Sequence, residues 1–259
     1  MTILRMIAAA SVAVLALTAE GTADERPTLR IATEGAYPPF NNRNADGELV
    51  GFDVDIARAL CDRIEMTCVF VVQDWEGMIP GLLANRYDAI IASMAITEER
   101  SRKVHFTDKY YATRPAMVVP RDSTITEATD AGLAGRSVGA QSGTTHANYA
   151  EAKFPSATLK PYPIPLAYQE ELQNGRLDAA IDDLILLSEW VESDSGQCCR
   201  ILATLPVDEA INGKGIGIAV RKTSPDLRDA FNAAIAAIRA DGTYKTINDA
   251  YFSFDIYGD

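Results

Sequence analysis

The sequence predicts an α/β chain folded as two lobes that face each other across a cleft. Three observations predict it: two segments share one grammar, their strands end in polar groups, and an Arg follows one of them at a helix start. Asn85-Arg86-Tyr87-Asp88 leads into the apolar run Ala89 to Ala92, and Asn174-Gly175-Arg176-Leu177-Asp178 leads into Ala179-Ala180-Ile181. Each reads as a helix end, a turn with Arg, an Asp-Ala step and a short buried strand. One strand runs into Ser93 and the other into Asp183. Ligands of open α/β sheets sit beyond the carboxyl ends of strands, so two such units set polar groups on both sides of a shared cleft. Thr97 then reads as an N-cap with Glu98 and Glu99 in the first turn, which puts Arg100 near the positive end of a helix dipole. A cation there has the wrong sign and calls for an anion partner.

The remaining elements follow in order. Arg5, the apolar stretch Met6 to Leu17 and the small residues Gly21-Thr22-Ala23 predict a cleaved secretory signal over residues 1–23, with the cut after Ala23. The apolar run is well short of the ~20 residues that span a bilayer, and no later segment is longer. Leu29 to Thr33 reads as the first strand, Phe52 to Ile64 as a helix with Ile56, Leu60 and Ile64 on its buried face, and Cys68 to Val72 as a strand. A helix around Met78 to Ala84 leads into the Asp88 strand. Ser137 to Ala140 is a strand, Thr145 to Ala152 a helix, Tyr168 to Gln173 the helix before the Asp178 strand, and Gly215 to Arg221 a returning strand. Pro225 after Ser224 starts a helix, Gly242 stops it, and Thr243 is expected to cap the last one. No solenoid repeat and no low-complexity linker interrupts this order.

Composition narrows the function. With 47% hydrophobic residues the chain buries a real core, and a net charge of −12 with pI near 4.7 argues against nucleic acid or an anionic membrane as partner. Four cysteines in an exported chain point to disulfides. Cys198 and Cys199 are adjacent, and a strained vicinal bond, two thiols or intermolecular pairing all stay open. Two histidines, His105 and His146, and the lack of a CxxC motif leave a metal site without support, so neither metal nor cofactor is expected.

Along its whole mature length the chain resembles the periplasmic amino-acid-binding proteins of ABC importers, nearest to the lysine/arginine/ornithine- and histidine-binding branch. The resemblance is carried by Ala32-Thr33-Glu34-Gly35-Ala36-Tyr37-Pro38-Pro39-Phe40, Gly51-Phe52-Asp53-Val54-Asp55, the Asp88 to Arg100 stretch, Gly143-Thr144-Thr145-His146, Asp241-Gly242-Thr243-Tyr244 and the tail Ile256-Tyr257-Gly258-Asp259. It implies a two-lobed periplasmic-binding-protein fold of type II, each lobe a mixed sheet flanked by helices and the two joined by a two-stranded hinge. Residues 24–112 and 216–259 would form the first lobe and 113–215 the second. A Cys61–Cys68 disulfide is also implied; closing so short a loop adds roughly 2 to 3 kcal/mol. The expected protein is a periplasmic monomer that hands its ligand to an inner-membrane ABC permease, with a chemoreceptor as a further partner left open.

A free amino acid presents a carboxylate, an ammonium and a side chain, and burying its charges without partners costs many kcal/mol. For the carboxylate the resemblance implies Arg100, whose planar fork suits bidentate pairing, and the Gly143-Thr144-Thr145 turn, where a strand gives way to helix N–H groups. For the ammonium it implies Asp183, with Ser93 adding a carbonyl or hydroxyl. Here the chain departs from the branch, which has Ser or Asp at the position of Ala95 and a second Ser at Ala92. Tyr37 and Trp75 match the aromatic pair that sandwiches the ligand's stem, worth about 0.5 to 2 kcal/mol in cation–π attraction. Glu34 matches the acid that meets a distal cation, and Gln141 and His146 neighbour it on the second lobe.

The expected ligand is therefore a cationic L-amino acid, arginine ahead of ornithine and lysine, with histidine also admitted. An opine of the octopine or nopaline type is the alternative, because Ala92 and Ala95 leave room beside the amine. A cyclohexadienyl- or prephenate-type dehydratase on the same fold is the enzyme alternative. Such chemistry needs a positioned general acid, and no Ser/His/Asp or Cys/His grouping is visible, so no catalytic residue is assigned.

Overall fold

The computed structural model describes residues 26–258; the expected signal segment lies outside them. The chain opens with β1 (Thr28–Thr33), the short strands β2 (Ala36–Tyr37), β3 (Asn41–Arg43) and β4 (Leu49–Val50), then α1 (Phe52–Arg63), β5 (Thr67–Val72), α2 (Met78–Leu83), β6 (Ala89–Ile90), α3 (Glu98–Ser101) and β7 (His105–Tyr111). There follow β8 (Pro115–Pro120), β9 (Ser137–Gln141), α4 (Thr145–Lys153), β10 (Thr158–Tyr162), α5 (Pro165–Gln173), β11 (Ala179–Asp183), α6 (Leu184–Glu192) and β12 (Cys199–Thr204). The chain closes with α7 (Glu209–Asn212), β13 (Ile216–Val220), α8 (Pro225–Ala240) and α9 (Thr243–Tyr251).

Two five-stranded mixed sheets result, ordered β5-β1-β6-β13-β7 and β10-β9-β11-β8-β12. In each, three parallel strands are followed by one that runs against them and by an edge strand that again runs with them. The chain leaves the first sheet after Tyr111, enters the second at Pro115, leaves it after Thr204 and returns at Ile216. A third, small sheet of β2, β3 and β4 frames the turn around Gly35.

Local chemistry explains the main helices. At Gly51 the backbone turns at φ 124°, and an added Cβ would meet the Phe40 carbonyl at 2.4 Å; only glycine lets α1 start so close to the Pro39–Phe40 turn. The Phe52 ring then packs edge-on against Tyr111, Tyr244, Tyr251 and Phe252, which ties α1 to the chain's end. Pro225 occupies the first turn of α8, and Phe231, Ala234, Ile235 and Ile238 follow at helical spacing as its buried face. Cys61 and Cys68 form the expected disulfide between α1 and β5.

Three local expectations are corrected. The strand after Asp88 ends at Ile90, because Ser93 takes a left-handed backbone (φ 54°) and bends the chain toward the cleft. The helix before Asp178 starts three residues early, at Pro165, a favoured first-turn position. Thr243 does not cap α9: it is the first helical residue, and its N–H is taken by the Asp241 carboxylate at 2.9 Å. No helix among the described residues is long and apolar enough to cross a membrane.

Candidate functional site: a charged interlobe cleft

The two Asp-Ala steps do the same mechanical work. Asp88 accepts the Arg30 backbone N–H at 3.1 Å and the Arg30 guanidinium at 2.9 and 3.0 Å, and Arg221 reaches it at 3.1 Å. Asp178 accepts the Ser137 N–H at 2.8 Å and its hydroxyl at 2.7 Å, with Arg136 at 3.3 Å. Each acid pins the start of the neighbouring parallel strand and so fixes where the strand ends point. Those ends converge on a cavity of about 760 Å³ between the lobes, within the range of small-molecule sites.

All twelve residues singled out in the sequence line it: Glu34, Tyr37, Trp75, Ala92, Ser93 and Ala95, then Arg100, Gln141, Thr144, Thr145, His146 and Asp183. Four hydrogen bonds cross between lobes around this space. Tyr37 donates its hydroxyl to Asp182 at 2.5 Å, Gln141 Nε2 donates to Glu34 Oε1 at 2.6 Å, and Trp75 Nε1 and Arg100 Nη2 donate to the Gly143 carbonyl at 3.0 and 3.2 Å. The cleft is thus described in a closed arrangement.

Arg100 is buried at 9% exposure, and no carboxylate among the described residues pairs with it. Its guanidinium bonds only the Ala95 and Gly143 carbonyls and stacks on Trp75, 5.0 Å from the ring centroid. Burial lowers its pKa to about 10, which still leaves it charged at neutral pH. The anion expected beside it is not supplied by any described residue. Across the cleft Thr144 caps α4 by accepting the Ala147 N–H, while the N–H groups of Thr145 and His146 carry no hydrogen bond among the described residues. A buried guanidinium across from bare helix N–H groups suits a carboxylate chemically.

Acids gather at the other side. Asp183 ends β11 and caps α6 through the Ile185 N–H at 2.8 Å; its second oxygen accepts the Thr113 hydroxyl. Burial raises its pKa to about 6, against the pull of Thr113 and His146. Asp182 lies directly behind, buried rather than solvated, and accepts from the hydroxyls of Tyr37 and Tyr168 and from the Asp183 N–H. His146 Nδ1 sits 3.2 Å from Asp182 Oδ1 but outside hydrogen-bond geometry, so the contact is electrostatic only. Glu34 is pushed up to about 7 by burial, more than its bond to Gln141 offsets, and the charges of Asp182 and Asp74 push the same way. Ser93 donates its hydroxyl to buried Asp53 at 2.9 Å, which leaves its oxygen and carbonyl as acceptors. Thr113 and Tyr111 also line the cavity, and no sequence signal marked either.

Two mixed α/β lobes closing on a cavity with one end suited to an anion and the other to cations define a binding protein for a small zwitterionic or cationic solute. The chain belongs to the bacterial extracellular solute-binding proteins, family 3, whose model matches residues 29–254. It is 42% identical over 233 residues to the L-arginine-binding protein of Pseudomonas aeruginosa, covering 89% of this chain and 90% of that one. It is 39% identical over 237 residues to the histidine-binding periplasmic protein of Salmonella typhimurium, at 89% of both. Among solved structures, a Salmonella typhimurium periplasmic binding protein described for high arginine specificity superposes with a TM-score of 0.82 at 32% identity, over 88% of this chain and all of that one.

Proposed function

We propose that this chain captures a cationic L-amino acid, arginine ahead of ornithine and lysine, and delivers it to an inner-membrane ABC permease. The charge balance of the cleft's buried residues carries the reading; Lys109, Arg114, Glu209 and Lys214 also line the cavity, from more exposed positions. Arg100 is a buried cation, whereas Glu34 and Asp183 face the cavity and Asp182 lies just behind it. Arginine brings one carboxylate and two cations, matching this balance in number and in kind. Its carboxylate takes Arg100 and the α4 N–H groups, its ammonium Asp183 and Ser93, and its guanidinium runs between Tyr37 and Trp75 toward Glu34. Lysine ranks lower because its point charge cannot pair bidentately with a carboxylate. The relatives' own arginine and histidine specificities support this reading.

The lobe boundaries 24–112 with 216–259, and 113–215, a cleaved signal, a periplasmic location and a monomeric state belong to the same proposal. Two other readings each have one observation behind them. An opine is favoured by the methyl-lined wall of Ala92 and Ala95, and a dehydratase by Glu34, whose pKa of about 7 suits a general acid. Mass spectrometry of protein purified without denaturation tests all three: bound arginine is expected. A neutral amino acid would overturn the cationic reading, an N-substituted amino acid would favour the opine, and turnover of added prephenate would favour the enzyme.

A further inference from the structure

The Gly51-Phe52-Asp53 motif has no contact with the cavity, yet its acid reaches two of the cavity's walls. Asp53 is fully buried. Its Oδ2 accepts Asn41 Nδ2 and the Ser93 hydroxyl, both at 2.9 Å, and its Oδ1 accepts the Tyr110 hydroxyl at 2.7 Å. Asn41, also fully buried, passes the link on by accepting the Gly35 N–H at 2.9 Å. Gly35 is the residue after Glu34. Both tethered turns hold a left-handed residue, Gly35 at φ 71° and Ser93 at φ 54°; for serine that conformation is strained and needs outside support.

Three neutral side chains and the Ser93 backbone donate to this carboxylate, no cation among the described residues pairs with it, and burial pushes its pKa up despite the donors. An apolar side chain of similar volume would often stabilise such a spot better than a buried charge. The geometry points instead to spacing: we propose that Asp53 is a positioning residue for ligand selectivity, holding the Glu34 turn and the Ser93 turn at a fixed separation. The separation sets the length of side chain that reaches Glu34 while its ammonium meets Ser93 and Asp183. This inference rests on Glu34 as the acceptor of a distal cation.

Titration calorimetry with L-arginine and its neutral isostere L-citrulline, run beside thermal melting, tests it on the full mature chain. Weak binding is read by displacement of arginine. Asn41→Ala cuts only the branch to Glu34 and should weaken arginine about tenfold, with citrulline changed less than about twofold. Asp53→Asn disturbs both branches, weakening both ligands and lowering the arginine-to-citrulline ratio. Unchanged ratios in both variants, with melting temperatures lowered, would make Asp53 purely structural and overturn the inference. Should Asp53→Asn not fold, Asn41→Ala decides alone. A wild type that binds arginine and citrulline equally would fail at an earlier point, against the cationic reading itself, and would take this inference with it.

Discussion

The two lobes are one chassis with opposite tips. In both, an Asp after a turn clamps the neighbouring strand, Asp88 on β1 and Asp178 on β9, and the central strand aims at the cleft. In the first lobe that strand stops at Ile90 and gives way to irregular backbone ending in the short helix of Arg100, so the tip offers a cation and carbonyls. In the second it runs through Asp183 into α6, so the tip offers carboxylates. A three-residue difference in strand length changes what is presented while the scaffold stays the same. Chemistry in this protein is decided where strands stop, and the mutations below test each tip against its scaffold.

The largest effect is expected at Arg100. Arg100→Ala should weaken every L-amino acid alike by about 2 to 5 kcal/mol, the usual cost of removing one side of a desolvated charge pair. Calorimetric affinity like that of the wild type would show that the first tip is not the carboxylate site. Asp183→Asn should cost somewhat less, about 2 to 4 kcal/mol in affinity. Asparagine caps helices as well as aspartate does, so the melting temperature should hardly move; a large stability loss with intact binding would make Asp183 a cap and nothing more.

Glu34→Gln separates the ligand's ends. Arginine should weaken by about 1.5 to 3 kcal/mol, the scale of a charge-assisted hydrogen bond, and neutral ligands much less. Glu34 also predicts a pH dependence. With its pKa raised to about 7 by burial, it is mostly protonated at pH 6, and a guanidinium prefers the ionised form. Arginine affinity should therefore fall roughly tenfold from pH 7.5 to pH 6, chiefly through Glu34 with a smaller share from Asp183. Glu34→Gln should flatten most of that slope. Stability runs the other way: a carboxyl raised by folding stabilises the empty protein below its unfolded pKa, and that contribution is lost as pH rises through about 7. Melting curves of the ligand-free protein against pH measure it.

The smallest effects lie in the scaffold. Asp88 has two guanidinium partners and a backbone N–H, and although burial works against them they bring its pKa down to about 2. Asp178 relies on one Ser and one more distant Arg, which lower its pKa against the effect of burial. Asp88→Asn should thus cost about 1 kcal/mol of stability and Asp178→Asn less, neither changing ligand preference. The Asp88 contribution is present above pH 4 and disappears as pH falls through about 2. Urea melts of the two variants rank them.

Sequence made much of this legible because it depends on local grammar. The twin Asp-Ala steps, the Thr97 cap before Arg100, Pro225 and Gly242 are all read from neighbours along the chain, and the elements they imply are present. What escaped depends on distant partners. Thr113 gives no sign that its hydroxyl meets Asp183, seventy residues away. Nothing along the chain shows that Tyr37 and Tyr168 close over Asp182. Ser93 is legible as a cavity residue, but not the gift of its hydroxyl proton to Asp53, a link across forty residues that no spacing rule encodes.

On the proposed reading, a cleft with one buried cation and an excess of buried acids selects a ligand with one carboxylate and two cations. Titrating the wild-type protein at pH 7.5 with L-arginine, L-citrulline and L-glutamate tests it most directly. Arginine should bind tightest, citrulline at least about tenfold more weakly for want of the charge that meets Glu34, and glutamate weakest because it adds a third carboxyl to that end. Equal affinity for arginine and citrulline, or a preference for glutamate, would contradict the account.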